Sequence, residues 1–152
     1  MENIIELLNQ FLANDSKNDQ EKKWALDQTN DPRLKNIIKQ CDTREFRLVG
    51  LFKNSDTILL KSLPEKLKVS QATSSRSATK LQRLKVIDKF KDEDNKKEWQ
   101  LRLTSEGQEL LKVKIKLDKI TLLSLQKATS KFSDEDIRTI IDFLRIIVND
   151  KR

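Results

Sequence analysis

The sequence predicts a mainly α-helical fold carrying one small β-hairpin, an α+β arrangement, and three observations lead there. Apolar residues recur at helical spacing through most of the chain, and they alternate with polar ones over one short stretch near residue 100. Only two glycines and two prolines interrupt 152 residues. That scarcity of turn formers argues against a β sandwich or barrel.

The first element is an amphipathic helix, with Ile4, Ile5, Leu7, Leu8, Phe11 and Leu12 on one stripe. A polar stretch from Asn14 to Pro32 follows, relieved only by Trp24, Ala25 and Leu26, and Pro32 is placed to start a helix through Ile37 and Ile38. Thr43 is a plausible N-cap for the next helix, whose buried side would be Phe46, Leu48, Val49, Leu51 and Phe52. Thr57-Ile58-Leu59-Leu60 reads as a short extended piece. Ser62-Leu63-Pro64-Glu65 then opens a very short helix to Leu67, and Ser70 caps another from Gln71 to about Leu84. Two short helices joined by Lys68-Val69-Ser70 have a helix-turn-helix outline. From Val86 the period changes. Ile87 and Phe90 lead into a charged tip, 91–98, after which Trp99, Leu101 and Leu103 alternate with Gln100 and Arg102. A hairpin directly after a helix-turn-helix is a wing, so residues 57–104 form a winged helix-turn-helix head. Two long helices close the chain. The first carries Leu110 through Leu125, and the second is capped by Ser133 and Asp136, with Phe132 placed to staple against Ile137. Their apolar faces, with the first helix, have too little of their own chain to cover them, and a second copy is the economical partner. The expected organisation is 1–42 as dimerisation helix and connector, 43–104 as winged region, and 105–152 as dimerisation helices.

The charge is uneven. Residues 1–60 hold 9 basic and 10 acidic side chains, residues 61–102 hold 12 and 6, and residues 103–152 hold 10 and 8. Most of the net +7 therefore sits in one 42-residue block, which points to a polyanion through phosphate neutralisation and counterion release. A lysine-rich solvated surface would give the same total, so position must decide. Within 70–84, Ser74, Ala78, Leu81 and Leu84 fall on one side. The opposite side carries Gln71, Thr73, Ser75, Arg76, Thr79 and Lys80, with Ser70 at its start. Gln and Arg can make bidentate contacts to adenine and guanine edges, and Ser, Thr and Lys reach phosphates. Arg76 is the foremost base-reading candidate, and Lys96 and Lys97 at the wing tip are placed for the minor groove or its flanking phosphates. The partner these residues imply is double-stranded DNA. The competing reading is a winged-helix interaction module whose same face docks an acidic protein.

Other classes fare worse. With no histidine and glycines only at 50 and 107, neither a histidine-dependent triad nor a glycine-rich phosphate loop can be built, so no enzyme and no cofactor is expected. No apolar run approaches the ~20 residues of a membrane span. The start lacks a signal-peptide pattern, and a single cysteine fits a reducing cytoplasm.

Residues 43–107 resemble the MarR family of bacterial winged-helix regulators. The match runs through Thr43-Arg44-Glu45-Phe46, then Leu63 to Thr73, Arg76 and Leu81, and ends in Leu103-Thr104-Ser105-Glu106-Gly107. The last is the most specific piece, since the family commonly leaves its wing through Leu-Thr-x-x-Gly. The resemblance implies a homodimer with interleaved terminal helices and two heads on a pseudo-palindromic operator. It also implies regulation by a ligand or oxidant, with repression the commoner habit. Three features depart from the pattern. Asn95 and Lys97 stand where the wing usually has Asp-x-Arg, the glycine usual after the reading helix is replaced near Lys85, and 14–31 has no strong counterpart. Zinc-binding relatives use histidines, which this chain lacks, and Cys41 plus carboxylates is a weak zinc set, so no metal is expected. Cys41 is the redox candidate, with a small buried residue as its alternative. Trp24, Phe46, Phe52 and Trp99 are candidate linings for an aromatic effector between head and dimer helices, with core positions as the alternative.

Overall fold

The computed structural model describes residues 2–13 and 16–150. They form eight helices and three strands: α1 (Glu2–Ala13), α2 (Ser16–Asp27), α3 (Pro32–Gln40), α4 (Thr43–Gly50), β1 (Thr57–Leu59), α5 (Leu63–Leu67), α6 (Gln71–Arg83), β2 (Ile87–Phe90), β3 (Gln100–Leu103), α7 (Ser105–Thr129) and α8 (Asp134–Asn149). Short 3-10 turns follow α4 and β1. The chain divides into two compact units, Met1–Leu117 and Asp118–Arg152, with the boundary inside α7.

The first unit holds the core. Leu34, Ile37 and Ile38 of α3 and Phe46, Leu48 and Val49 of α4 meet Leu63 and Leu67 of α5, Ala78 and Leu81 of α6, and Leu110, Leu111 and Val113 of α7. The sheet order is β1-β3-β2, all antiparallel, so β1 pairs with the returning arm of the hairpin rather than with its neighbour in sequence. The registers Ile58↔Leu101 and Ile87↔Leu103 put Ile58, Leu101 and Ile87 into the core. This is the winged-helix arrangement that the period change at Val86 predicts.

Two local expectations are corrected. The polar stretch 14–31 contains the helix α2, which packs on α3. Twelve residues without glycine or proline have adequate helix propensity, and a single apolar turn anchors them: Ala25 is fully buried, with Trp24 and Leu26 against the core. One turn is too short for periodicity to reveal. The N-cap of α4 is Asp42, not Thr43. Its Oδ1 accepts from the backbone N–H groups of Arg44 (2.9 Å) and Glu45 (3.4 Å), and Glu45 Oε2 accepts from the Asp42 N–H (3.1 Å). A carboxylate with a glutamate three residues on makes the reciprocal capping box. Thr43 is the first helical residue.

In the second unit α8 has the expected box: Asp136 N–H donates to Ser133 Oγ, and the Ser133 N–H donates to Asp136 Oδ2. No described side chain of α8 is buried. Ile140, Ile141, Leu144 and Ile147 of α8 and Leu122, Leu123 and Leu125 of α7 lie exposed. In the first unit Ile4, Ile5, Leu7 and Phe11 of α1 are exposed as well. Apolar surface of this extent is unusual for a chain that works alone.

Candidate nucleic-acid interface

The turn between α5 and α6 is set by backbone chemistry. Lys68 adopts a left-handed conformation (φ 54°), which lets the Val69 N–H reach the Pro64 carbonyl (3.1 Å) and closes α5. Arg47 Nη2 donates to the Leu67 carbonyl (2.8 Å), tying α4 to that end. Ser70 then caps α6: its Oγ accepts from the Thr73 N–H (3.1 Å) and donates to Thr73 Oγ1 (2.9 Å). Ser70 and Thr73 thus serve each other at the cap. Ser74, Ser77, Ala78 and Leu81 face inward.

Gln71, Ser75, Arg76 and Thr79 are exposed on the outer face of α6. The Arg76 guanidinium lies back along the helix, with Nε donating to the Ala72 carbonyl (3.3 Å). Lys80 does not join this face. It turns inward, half-buried, to pair with the Glu45 carboxylate (3.2 Å), away from the outward set it was expected to share.

The end of α6 explains a departure noted above. Lys85, where a glycine is usual, is left-handed (φ 60°). Its N–H donates to the Gln82 carbonyl (3.0 Å), and the Val86 N–H donates to the Leu81 carbonyl (2.9 Å). Leu81 and Val86 are both buried. This is the double-bonded helix stop that glycine usually makes, and here a lysine bears its backbone strain, on the order of 1 kcal/mol. The Val86 carbonyl then receives the Thr104 N–H (3.0 Å), Thr104 Oγ1 donates to the Lys85 carbonyl (2.6 Å), and the Gly107 N–H donates to Thr104 Oγ1 (3.1 Å). A Cβ on Gly107 would stand 2.1 Å from the Val86 oxygen. Leu-Thr-x-x-Gly is therefore the joint where the exit of α6, the end of the wing and the start of α7 meet.

The wing is tied to itself. Asn95 Oδ1 accepts from the Lys97 N–H (3.2 Å), Asn95 Nδ2 donates to Glu98 Oε2 (3.1 Å), and Asp92 accepts from the Gln100 side-chain amide. Glu98 also pairs with Lys61. Lys96 and Lys97 are exposed. Sequence reasoning missed two further cations: Lys89 and Lys91 place their ammonium groups 4.4 and 4.5 Å from the centre of the Trp99 ring. Lys91 lies eight positions from Trp99, and only the hairpin register brings them together. Between wing and α6 lies a cleft of about 430 Å³, lined among others by Pro64, Gln71, Ser75, Lys97 and Trp99.

Trp99 therefore lines a cleft, but one between wing and α6. Phe46 and Phe52 are buried core residues and Trp24 packs half-buried against that core, so these three do not form an effector wall. Cys41 is fully buried. Burial pushes its thiol up to about 12, and the Glu45 carboxylate adds to the rise. A redox sensor needs an accessible thiolate near neutrality, so the redox assignment is corrected to a core one. Among the described residues no cluster of His, Cys, Asp or Glu could hold a metal ion. No helix among them is long and apolar enough to cross a membrane.

An aromatic disulfide reagent in mildly alkaline buffer is expected to label Cys41 slowly in the native protein and promptly after denaturation; prompt native labelling would show the placement to be wrong. The folded state holds the thiol proton to about pH 12, whereas an ordinary thiol loses it near 9.0. Stability is thus present below pH 9 and is lost as pH rises from there towards 12.

A capped helix with polar outer residues, a hairpin wing with exposed lysines and a tight wing exit define a winged-helix head. The solved structures it resembles share that fold. The Adhesin competence repressor (AdcR) from Streptococcus pyogenes superposes with a TM-score of 0.74 at 14% identity, covering 98% of this chain and 95% of that one. ZitR from Lactococcus lactis, a zinc-responsive MarR family member, gives 0.60 at 20% identity over 74% of this chain and 78% of its own. The PcaV transcriptional regulator from Streptomyces coelicolor, in complex with its natural ligand, gives 0.57 at 18% identity over 77% and 82%. The fold is the MarR-type winged helix, and these neighbours are transcription regulators rather than enzymes. No family model and no curated protein matches the chain by sequence.

Proposed function

We propose that the chain is a sequence-specific, double-stranded-DNA-binding transcription regulator that acts as a homodimer, as a repressor on a pseudo-palindromic operator. The observation that carries this reading is the outer face of α6. Gln71, Ser75, Arg76 and Thr79 are exposed on a helix whose N-terminus is capped and free of acidic residues, inside the block that holds +6 of the charge. ZitR has also been solved in complex with DNA. Ser70 and Thr73 contribute through the cap and their nearness to phosphates, and Lys96, Lys97, Lys89 and Lys91 supply backbone contacts from the wing. The exposed apolar residues of α1, of the end of α7 and of α8 support the homodimer: burying them against a second copy removes them from water. A small-molecule effector also belongs to this reading. PcaV is known with its natural ligand, and an occupant of the wing–α6 cleft would cover Gln71 and Ser75.

The test is footprinting of the protein on the DNA upstream of its own gene, paired with sedimentation. Protection of two half-sites about one helical turn apart by a dimer is expected. Binding that is salt-dependent but indifferent to sequence would favour docking of an acidic protein instead. A stable folded monomer at micromolar concentration would remove the dimer.

A further inference from the structure

Glu45 is the one charged side chain buried in the core of the described residues, at 4% exposure. Its carboxylate has two partners: the Asp42 N–H at Oε2, within the cap of α4, and the Lys80 ammonium at Oε1, on α6. The rest of the seam gives α6 little to hold it. Its inward residues Ser74, Ser77 and Ala78 are small, and Leu81 is the only large side chain that it buries completely. Small side chains allow close approach but resist rotation weakly, because apolar contact is not directional. An ion pair inside the seam is directional. With Lys80 removed, the Glu45 carboxylate would lie buried without its counter-charge, which is costly; with both neutralised, the cost largely disappears.

We propose that Lys80 and Glu45 are positioning residues whose ion pair fixes the rotation of α6 on α4. In this way they hold Gln71, Ser75, Arg76 and Thr79 at the angle operator binding requires. The proposal rests on the reading of α6 as the DNA-reading helix. The pair sits on the side of α6 away from DNA, so Lys80 acts through the exposed residues and touches no phosphate itself.

The experiment compares the wild type, Lys80→Met, Glu45→Gln, the double variant Glu45→Gln/Lys80→Met, and Lys80→Arg. Operator affinity is measured across a salt series well below each melting temperature, and amide exchange is measured on the protein without DNA. Lys80→Met is expected to lose operator affinity by about tenfold or more with its salt slope unchanged, and to exchange faster over residues 71–79. Lys80→Arg, which keeps the charge and the pair, is expected to stay within about threefold of wild type. The double variant, which relieves the lone charge but lacks the pair, is expected to regain stability yet stay weak on the operator with the wild-type salt slope. If Lys80→Met does not fold, the double variant and Lys80→Arg carry the comparison.

A salt slope reduced by about one in Lys80→Met and in the double variant would make Lys80 a phosphate ligand and overturn the proposal. A double variant restored to wild-type affinity would show that the pair positions nothing. Unchanged operator affinity with only a lower melting temperature would also overturn it, leaving the pair a role in stability alone. Failure of the wild type to select any DNA sequence would instead refute the DNA reading. The exchange data would still report whether the pair holds α6.

Discussion

Gly107→Ala is expected to destabilise the protein by about 3 kcal/mol, a drop in melting temperature on the order of 10 °C. The added Cβ would meet the Val86 carbonyl oxygen at 2.1 Å and two Leu103 side-chain carbons at 3.0 and 3.1 Å. The oxygen cannot give way cheaply, because it receives the Thr104 N–H and belongs to the segment that terminates α6. Relief requires the first turn of α7 to lift from the wing exit, with loss of the bond from the Gly107 N–H to Thr104 Oγ1. The chain's other glycine is the control. A Cβ at Gly50 would meet only the Lys114 side chain, at 3.3 and 3.6 Å. Gly50 also has helical backbone angles (φ −60°). Gly50→Ala is therefore expected to be neutral or stabilising by up to about 1 kcal/mol. Thermal unfolding of the two variants checks the pair of signs, and equal losses would refute the steric argument.

Arg76→Ala is expected to weaken operator binding by about ten- to a hundredfold, while leaving the fold and the affinity for random duplex nearly unchanged. Arg76 is exposed, its Nε donates to the carbonyl one turn back, and among the described residues no acidic group pairs with it. Truncation therefore removes no packing. Arg76→Lys keeps the charge and loses the planar fork, so it separates base reading from phosphate attraction. If the arginine reads a base, lysine restores non-specific affinity but not selectivity. Operator titrations at two salt concentrations give the answer. A loss of less than about twofold in Arg76→Ala would remove this residue from the reading surface.

The parts legible in the sequence are those governed by neighbours along the chain. Helical spacing marked α1, α4, α7 and α8, alternation marked β3, and Ser70 and Ser133 announced their helices, because caps and periodicity act within four residues. The cap at Asp42 was misplaced by one position because two adjacent residues, Asp42 and Thr43, both have capping side chains. The helix α2 was missed because its anchorage is a single turn whose partner, α3, lies across a loop. The candidate site divides in the same way. The outward set on α6 followed from its period. The inward turn of Lys80 did not, because its partner Glu45 lies thirty-five positions earlier on another helix.

By itself, then, the sequence determined the mainly helical class, the capped α6 with its polar outer face, the wing and the basic block around them. Those features depend on local propensity and periodicity, which each segment carries with it. Only the tertiary structure decided that Lys80 faces Glu45, that Cys41 is sealed in the core, that Phe46 and Phe52 are core, and that Lys89 and Lys91 share the Trp99 ring. It also decided why Gly107 must be glycine. Each of these depends on which distant groups come within a few ångströms of one another. Burial and ion pairing arise from that proximity, and the linear order of residues does not contain it.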